Sequence, residues 1–285
     1  MYTLWISLFS SLCVGFYMKQ LKIDSTKNLA LFIAFGYLAA AILSWLFFDV
    51  SIHNLNFSTT NYIIIALLGV GLPSMFFILY KALKVSGIMR TDIFQRLSLI
   101  IPVVLSFKLF NEQATAPKIV AIILSFLSII LLLYKKSKGS GKFSLVYLLT
   151  IFFGYGIVDT LFKLIATDKR INYTTTLFIV FLCCLVVAFI YFLCSKGKVA
   201  YKYTYLGLLL GVLNFMNIFF YLKAHKIFAD SPTLVFITMN LGVIIGGTLI
   251  GRFYFKEALR KHTLYGIVLA VLSISLLALV QLHIL

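Results

Sequence analysis

The fold class this sequence predicts is an all-α polytopic membrane protein, and three observations predict it. The first is composition. Of the 285 residues, 62% are hydrophobic and only 12% are charged, and the mean hydropathy is +1.07. Soluble globular chains sit near half apolar, with about a quarter of their residues charged. A soluble core of this size cannot hide so much apolar surface, so the bilayer must act as solvent. The second is length. A spanning helix needs about 20 apolar residues, with roughly 17–25 tolerated, and the apolar residues fall into ten such runs. The third is internal similarity. Phe110-Asn111-Glu112 precedes Leu127-Ser128-Ile129 by the same interval at which Phe255-Lys256-Glu257 precedes Leu272-Ser273-Ile274. That match divides the chain into a first five-helix repeat, 1–142, and a second, 143–285. Five is odd, so the second copy enters the membrane from the opposite side and the repeat is inverted.

The first span, 2–18, has no basic n-region and no small-x-small cleavage site, so it is read as a retained helix. The polar joint "KQLKIDSTKN" separates it from the second, 29–48, and "DVSIHNLNFSTTN" separates the second from the third, 61–82. Tyr17, Tyr37, Trp45 and Tyr80 lie in or near these three spans, as packing residues, interfacial belts or cavity walls. The fourth span, 87–110, carries Asp92 and Arg96 at its start and Pro102 within it. The fifth, 116–134, ends in a Leu/Ile tract. After "YKKSKGSGK" comes the sixth, 143–165, where Tyr155, Asp159 and Lys163 fall on one helical stripe. The seventh, 174–194, holds Cys183, Cys184 and Cys194. With Cys13 these cysteines show no metal spacing and no disulfide framework, and are read as packing residues. The eighth, 203–222, presents Gly207, Gly211, Asn214, Asn217 and Tyr221 along one face. The ninth, 231–254, contains Thr238, Asn240 and the small-residue pairs Gly242/Gly246 and Gly247/Gly251. Such pairs let backbones approach, within one chain or across a homodimer. The tenth is 263–283.

The formal charge of +17 comes from 25 Lys and Arg against 8 Asp and Glu. Most of the basic residues flank apolar runs, as in "SKGKVAYK", and read as topology signals and contacts with anionic lipid headgroups, not as a nucleic-acid surface. They crowd the odd-numbered connections, with Lys19, Lys22 and Lys27 after the first span and Lys135, Lys136, Lys138 and Lys142 after the fifth. The positive-inside rule then places the odd connections in the cytoplasm and both termini outside, in a bacterial plasma membrane. Gly139-Ser140-Gly141-Lys142 imitates a phosphate loop but lacks its first glycine and its Ser/Thr, so no nucleotide site and no cofactor is expected.

Two ionised clusters stand out at membrane depth. An arginine near the bilayer centre costs at least about 2.5–3.5 kcal/mol on insertion scales. Arg96 therefore either pairs with Asp92, four residues before it, to lock its helix, or lines a cavity and grips an anionic group of a solute. Asp159 is a proton site, a partner for a cationic group of the solute, or a partner for Lys163. Lys163 lies close enough to its span end to snorkel. Tyr80, Tyr155, Asn214 and Asn217 complete the candidate solute contacts. Glu112 and Glu257 sit at helix C-terminal ends, where the dipole disfavours them, beside Lys108 and beside Lys256, Arg260 and Lys261 respectively, and are read with Lys163 as structural or gating groups.

Ala82, Pro102, Glu112 and the following Leu/Ile-ended span in the first half, with Ser231-Pro232, Glu257 and Gly266 in the second, carry a resemblance. The chain resembles the drug/metabolite transporter superfamily, in its EamA-like ten-helix branch. The pattern covers nearly the whole chain through short motifs. Gly247 stands where Pro102 has its counterpart, and Ala121 stands where the second copy has Gly266. The resemblance implies a central cavity between the halves, alternating access and small polar metabolites as cargo.

A secondary transporter is therefore the leading expectation, for an amino-acid-like, zwitterionic or anionic solute. A lipid flippase or a channel is the alternative. An intramembrane enzyme fits less well. His53, His225, His262 and His283 lie in loops or near span ends, and neither His-Glu-x-x-His nor Gly-x-Ser-x-Gly occurs.

Overall fold

A computed structural model describes residues 2–21, 23, 25–48, 50, 58–86, 88–109, 113–133, 142–168, 172–254 and 261–281. Among them the only regular elements are helices: α1 (Tyr2–Gln20), α2 (Thr26–Phe47), α3 (Thr59–Ser86), α4 (Ile88–Leu97), α5 (Ile100–Leu109), α6 (Ala116–Leu133), α7 (Lys142–Thr167), α8 (Tyr173–Cys194), α9 (Lys202–Ile227), α10 (Pro232–Phe253) and α11 (Lys261–Gln281). Helices satisfy every backbone group internally, which hydrocarbon surroundings demand. Five of them, α2, α3, α7, α8 and α9, are long and apolar enough to cross a membrane. The molecule is a helical membrane protein. Side chains mark the starts. The Ser25 hydroxyl accepts from the Asn28 amide at 3.2 Å to cap α2, and Asn172 accepts from the Thr174 amide at 3.1 Å to cap α8. Pro232 opens α10, where its missing N–H leaves nothing unsatisfied.

The fourth apolar run corrects the expectation of one continuous helix over 87–110. It is two helices, α4 and α5, separated at Ser98–Leu99. Pro102 is the reason. It has no N–H to offer the Ser98 carbonyl, and its ring crowds that carbonyl. The Ile101 amide donates to Ser98 instead, at 3.0 Å, and the Leu99 amide donates to Arg96 at 3.3 Å, both three-residue turns.

The described chain divides into two compact units, each drawing on both sequence halves. One comprises Met1–Phe77 with Leu161–Lys223, the other Ile78–Thr160 with Ala224–Leu285. In the first, α2 packs along α8. Tyr37 meets Phe181 at 6.3 Å and Trp45 meets Phe178 at 5.6 Å, a pairing whose residue numbers run in opposite directions. Gly207 and Gly211 of α9 lie directly on the backbone of α2. A β-carbon on Gly211 would strike the Gly36 carbonyl, and one on Gly207 the Phe32 carbonyl, so only glycine permits this approach.

In the second unit α6 packs along α11. Their seam is reciprocal. The Ser128 hydroxyl donates to the Gly266 carbonyl at 2.7 Å, and the Ser273 hydroxyl donates to the Ala121 carbonyl at 2.7 Å. All of Ala121, Ser125, Ser128 and Ile129 on α6, and Ala270 and Ser273 on α11, are fully buried there. Because 121 meets 273 and 128 meets 266, the two helices run antiparallel.

Candidate functional site

The site is assembled in the second unit from α4, α7 and α10. The interruption forced by Pro102 ends α4 at Leu97 and leaves Arg96 in its last turn. A cation is favoured there by the helix dipole and by carbonyls that lack helical partners. Gly156 of α7 fits against the interruption. A β-carbon at Gly156 would lie 2.6 Å from Ile101 Cδ1, 2.8 Å from Ile101 Cβ and 2.9 Å from the Ser98 oxygen. This contact draws α7 close to the end of α4 and sets Tyr155 and Asp159, which flank Gly156, near Arg96. The two charges and the phenol are within electrostatic reach of one another: Arg96 acts on both Asp159 and Tyr155, and Asp159 acts on Tyr155. Thr160 is buried and donates back to the Gly156 carbonyl at 2.8 Å, tightening the same turn.

The third contribution comes from α10. Asn240 Nδ2 donates to the Phe236 carbonyl at 3.1 Å, one turn back on its own helix. That bond fixes the amide orientation, so Oδ1 is the atom presented to Arg96, whose Nη1 donates to it at 3.3 Å. The guanidinium is thus steered by a neutral acceptor, with the Asp159 carboxylate within range of its field. Arg96, Tyr155, Asp159 and Asn240 are each half-buried. The arrangement gathers a forked cation, a carboxylate, a phenol and an amide from three helices of one compact unit. Among the described residues no group of three or more His, Cys, Asp or Glu side chains could hold a metal ion.

The other expected site residues are placed as follows. Tyr80 belongs to the same unit and lies under Lys84, whose Nζ stands 4.3 Å from the ring centroid. Asn214 and Asn217 belong to α9 in the first unit, where the Ser7 hydroxyl lies 2.9 Å from both the main-chain oxygen and Oδ1 of Asn217. Lys163 corrects the snorkelling expectation. It is 0% exposed, near the end of α7, with Phe162, Ile165 and Ala166 buried around it. The turn that carries it is enclosed by protein, so its ammonium does not reach outward. The Asp92 side chain, Glu112 and Glu257 lie outside the described residues.

Gly156 and the acceptor role of Asn240 were not legible as parts of this site. The signal for the first was available in Pro102, since a proline inside a helical run interrupts it about four residues earlier, next to Arg96. Asn240 is visible as an amide among apolar residues, but nothing in one sequence ties it to Arg96.

No family model matches the chain. A Haemophilus influenzae protein described as "Uncharacterized protein" is 38% identical over 279 residues, covering 94% of this chain and 95% of the relative. A solved structure described as "Crystal structure of protein" superposes with a TM-score of 0.72 at 14% identity, covering 99% of this chain and 97% of the other. That second likeness is one of fold alone.

Proposed function

We propose, for a chain that belongs to one family with the Haemophilus influenzae protein, the activity of a secondary transporter. Its cargo is a small polar metabolite, amino-acid-like, zwitterionic or anionic, moved across the membrane by alternating access. The observation that carries this reading is Arg96. A guanidinium held in an apolar helical protein by Asn240, with the Asp159 carboxylate within range of its field, is costly unless it serves a polar solute or a lock. Its place at an interrupted helix favours the solute, because broken helices at membrane depth are where transporters bind cargo. Arg96 takes the carboxylate or other anionic group in a forked hydrogen bond. Asp159 and Tyr155 take the cationic or hydroxyl end.

The reading includes ten spans arranged as an inverted repeat of five plus five. The antiparallel seam of α6 and α11 supports it, since Ser128 and Ser273 hold equivalent places in the two halves and each donates to the other's helix, Ser128 to Gly266 and Ser273 to Ala121. A two-fold axis in the membrane plane generates such a pair. The resemblance to the EamA-like drug/metabolite transporters, the cytoplasmic placement of the odd-numbered connections in a bacterial plasma membrane, and the absence of enzymatic chemistry belong to the same proposal.

Transport by the purified chain in liposomes tests it. Saturable uptake of a labelled solute is expected, and Arg96→Ala is expected to abolish it while the protein still elutes as a single species. Flux unchanged in that variant would assign Arg96 to helix locking and remove the basis of the reading.

A further inference from the structure

We propose that one end of the first compact unit, where the α8–α9 connection folds onto the start of α2, is a docking surface for the headgroup of an anionic phospholipid. The surface rests on the membrane character of the chain and not on the transport reading above. Its backbone is held in place by three contacts. Asn28, buried in the first turn of α2, accepts through Oδ1 from the Ala200 amide at 3.0 Å. Gly197 turns the connection with φ +135°, a conformation that favours glycine. A β-carbon there would lie 3.6 Å from Ser25 Cβ and 3.8 Å from Lys27 Cβ, so the turn lies beside the α2 cap. Where α8 ends, the Ser195 amide donates to the Phe192 carbonyl at 3.3 Å.

These contacts gather lysines. Lys27 comes from α2, Lys196 and Lys198 flank Gly197 and are exposed, and Lys202 opens α9. Rings brace two of the ammonium groups. Lys27 Nζ stands 5.1 Å from the Phe192 ring centroid, and Lys202 Nζ stands 4.9 Å from that of buried Tyr203. A ring face holds an ammonium in place without removing its charge. The two stretches that meet here, 19–28 and 195–202, hold six lysines against one acid, Asp24, a net charge of +5 with Asp24 ionised. Such a concentration of one sign attracts an anion. The surroundings select which anion. Immediately inside the lysines Phe189, Ile190 and Leu193 of α8 are exposed, as are Tyr205, Leu209 and Val212 along one face of α9. Tyr201 and Tyr205, 76% and 74% exposed, hold the places that tyrosines take at a membrane–water boundary. A phosphodiester at the lysines therefore has hydrocarbon-grade surface for its acyl chains, which a free phosphate leaves unused. A choline or ethanolamine headgroup brings its own cation into the same field and is disfavoured.

Melting of the purified full chain in mixed micelles, followed by circular dichroism, tests this. Palmitoyl-oleoyl phosphatidylglycerol is expected to raise the melting temperature by mass action, and phosphatidylcholine with the same chains is not. The combined variant Lys27→Gln, Lys196→Gln, Lys198→Gln and Lys202→Gln is expected to lose the rise. Lys198→Gln alone should increase the half-saturating fraction of phosphatidylglycerol about five-fold. The charge-matched control, Lys135→Gln, Lys136→Gln, Lys138→Gln and Lys142→Gln, should keep the rise. An equal loss in that control reduces the effect to overall charge and overturns the site. No rise with phosphatidylglycerol, or an equal rise with phosphatidylcholine, overturns the proposal. So does an equal rise with inorganic phosphate in the absence of lipid, which would assign the lysines to a soluble anion. Should the combined variant fail to fold, labelling of the wild-type chain decides. A phosphatidylglycerol with a photoreactive diazirine on its headgroup should mark the peptides that contain 25–28 and 195–205, as read by mass spectrometry. Marking confined to other peptides overturns the proposal.

Discussion

Replacing Gly156 by alanine probes the contact on which the site geometry depends. The added methyl would meet Ile101 Cδ1 at 2.6 Å, Ile101 Cβ at 2.8 Å and the Ser98 oxygen at 2.9 Å. Non-bonded carbons rest at about 3.5–4.0 Å, so the overlap is about 1 Å. Ile101 Cδ1 can turn aside, but Ile101 Cβ and the Ser98 carbonyl belong to a turn pinned by the Ile101–Ser98 hydrogen bond at 3.0 Å. α7 must therefore retreat. Overpacking of this kind costs about 1–3 kcal/mol, against about 0.5–1 kcal/mol regained because alanine suits a helix interior better than glycine. Midrange values of about 2 and about 0.75 kcal/mol leave a net loss of about 1.3 kcal/mol. At about 2–4 °C per kcal/mol for mid-sized domains, the melting temperature should fall by roughly 3–5 °C. With Cys13, Cys183 and Cys194 replaced by serine, the buried thiol of Cys184 provides the assay, since a thiol-reactive fluorophore then lights up only as the fold opens. Gly247→Ala is the control. Its β-carbon meets nothing within 4 Å, so its melting temperature should be unchanged or slightly raised. Asp159 travels with α7, so Gly156→Ala should lose transport out of proportion to its stability. A Gly156→Ala protein that melts at or above the wild-type temperature would refute the close approach of α7 to the Ser98–Ile101 turn, and the account of how Asp159 reaches Arg96 would fall with it.

Ser128→Ala and Ser273→Ala should destabilise by similar amounts, about 0.6–1.5 kcal/mol each, and the double variant by their sum, measured in the same melting assay. Unequal losses would argue against a symmetric seam. Pro102→Ala restores a donor to the Ser98 carbonyl and should let α4 and α5 fuse; melting should hold or rise while transport falls, because Arg96 rotates with the mended helix. In the folded protein Cys194 is exposed and Cys184 buried, so a maleimide should modify Cys194 first and Cys184 last, as read by peptide mass.

Each of the ten apolar runs contains a helix, and the run edges mark where hydrocarbon-grade sequence ends, not where hydrogen bonding ends. This is why α9 continues past the expected 222 through Lys223, Ala224, His225 and Lys226 to Ile227, since these residues tolerate a helix without being apolar. The interruption at Ser98 was hidden by composition. Ser98 to Ser106 reads as one apolar stretch, and only the chemistry of one missing N–H at Pro102 divides it. The candidate site was half legible. An arginine and an aspartate at membrane depth announce themselves by cost, and Tyr155 follows from helical spacing. Which helix faces which is a tertiary fact. It decides that Asn240, not another amide, meets Arg96, and that Asn217 is engaged by Ser7. Lys163 was misjudged because distance from a span end says nothing about what neighbouring helices cover.

The interleaved make-up of the two compact units has a consequence for biogenesis. Leu29, Phe32, Ile33 and Ala40 of α2 are almost wholly covered in the finished fold, yet α8, which lies along that helix, leaves the ribosome only after roughly 125 further residues, or about 6–25 s at about 5–20 residues per second. During that interval the nascent α2 must be tended by lipid or by the insertion machinery, and the slot at Gly36 waits open for Gly207 and Gly211. Neither unit can be harvested as a contiguous fragment. A truncation before Lys202 should leave a half-finished product for quality-control proteases rather than a smaller folded protein.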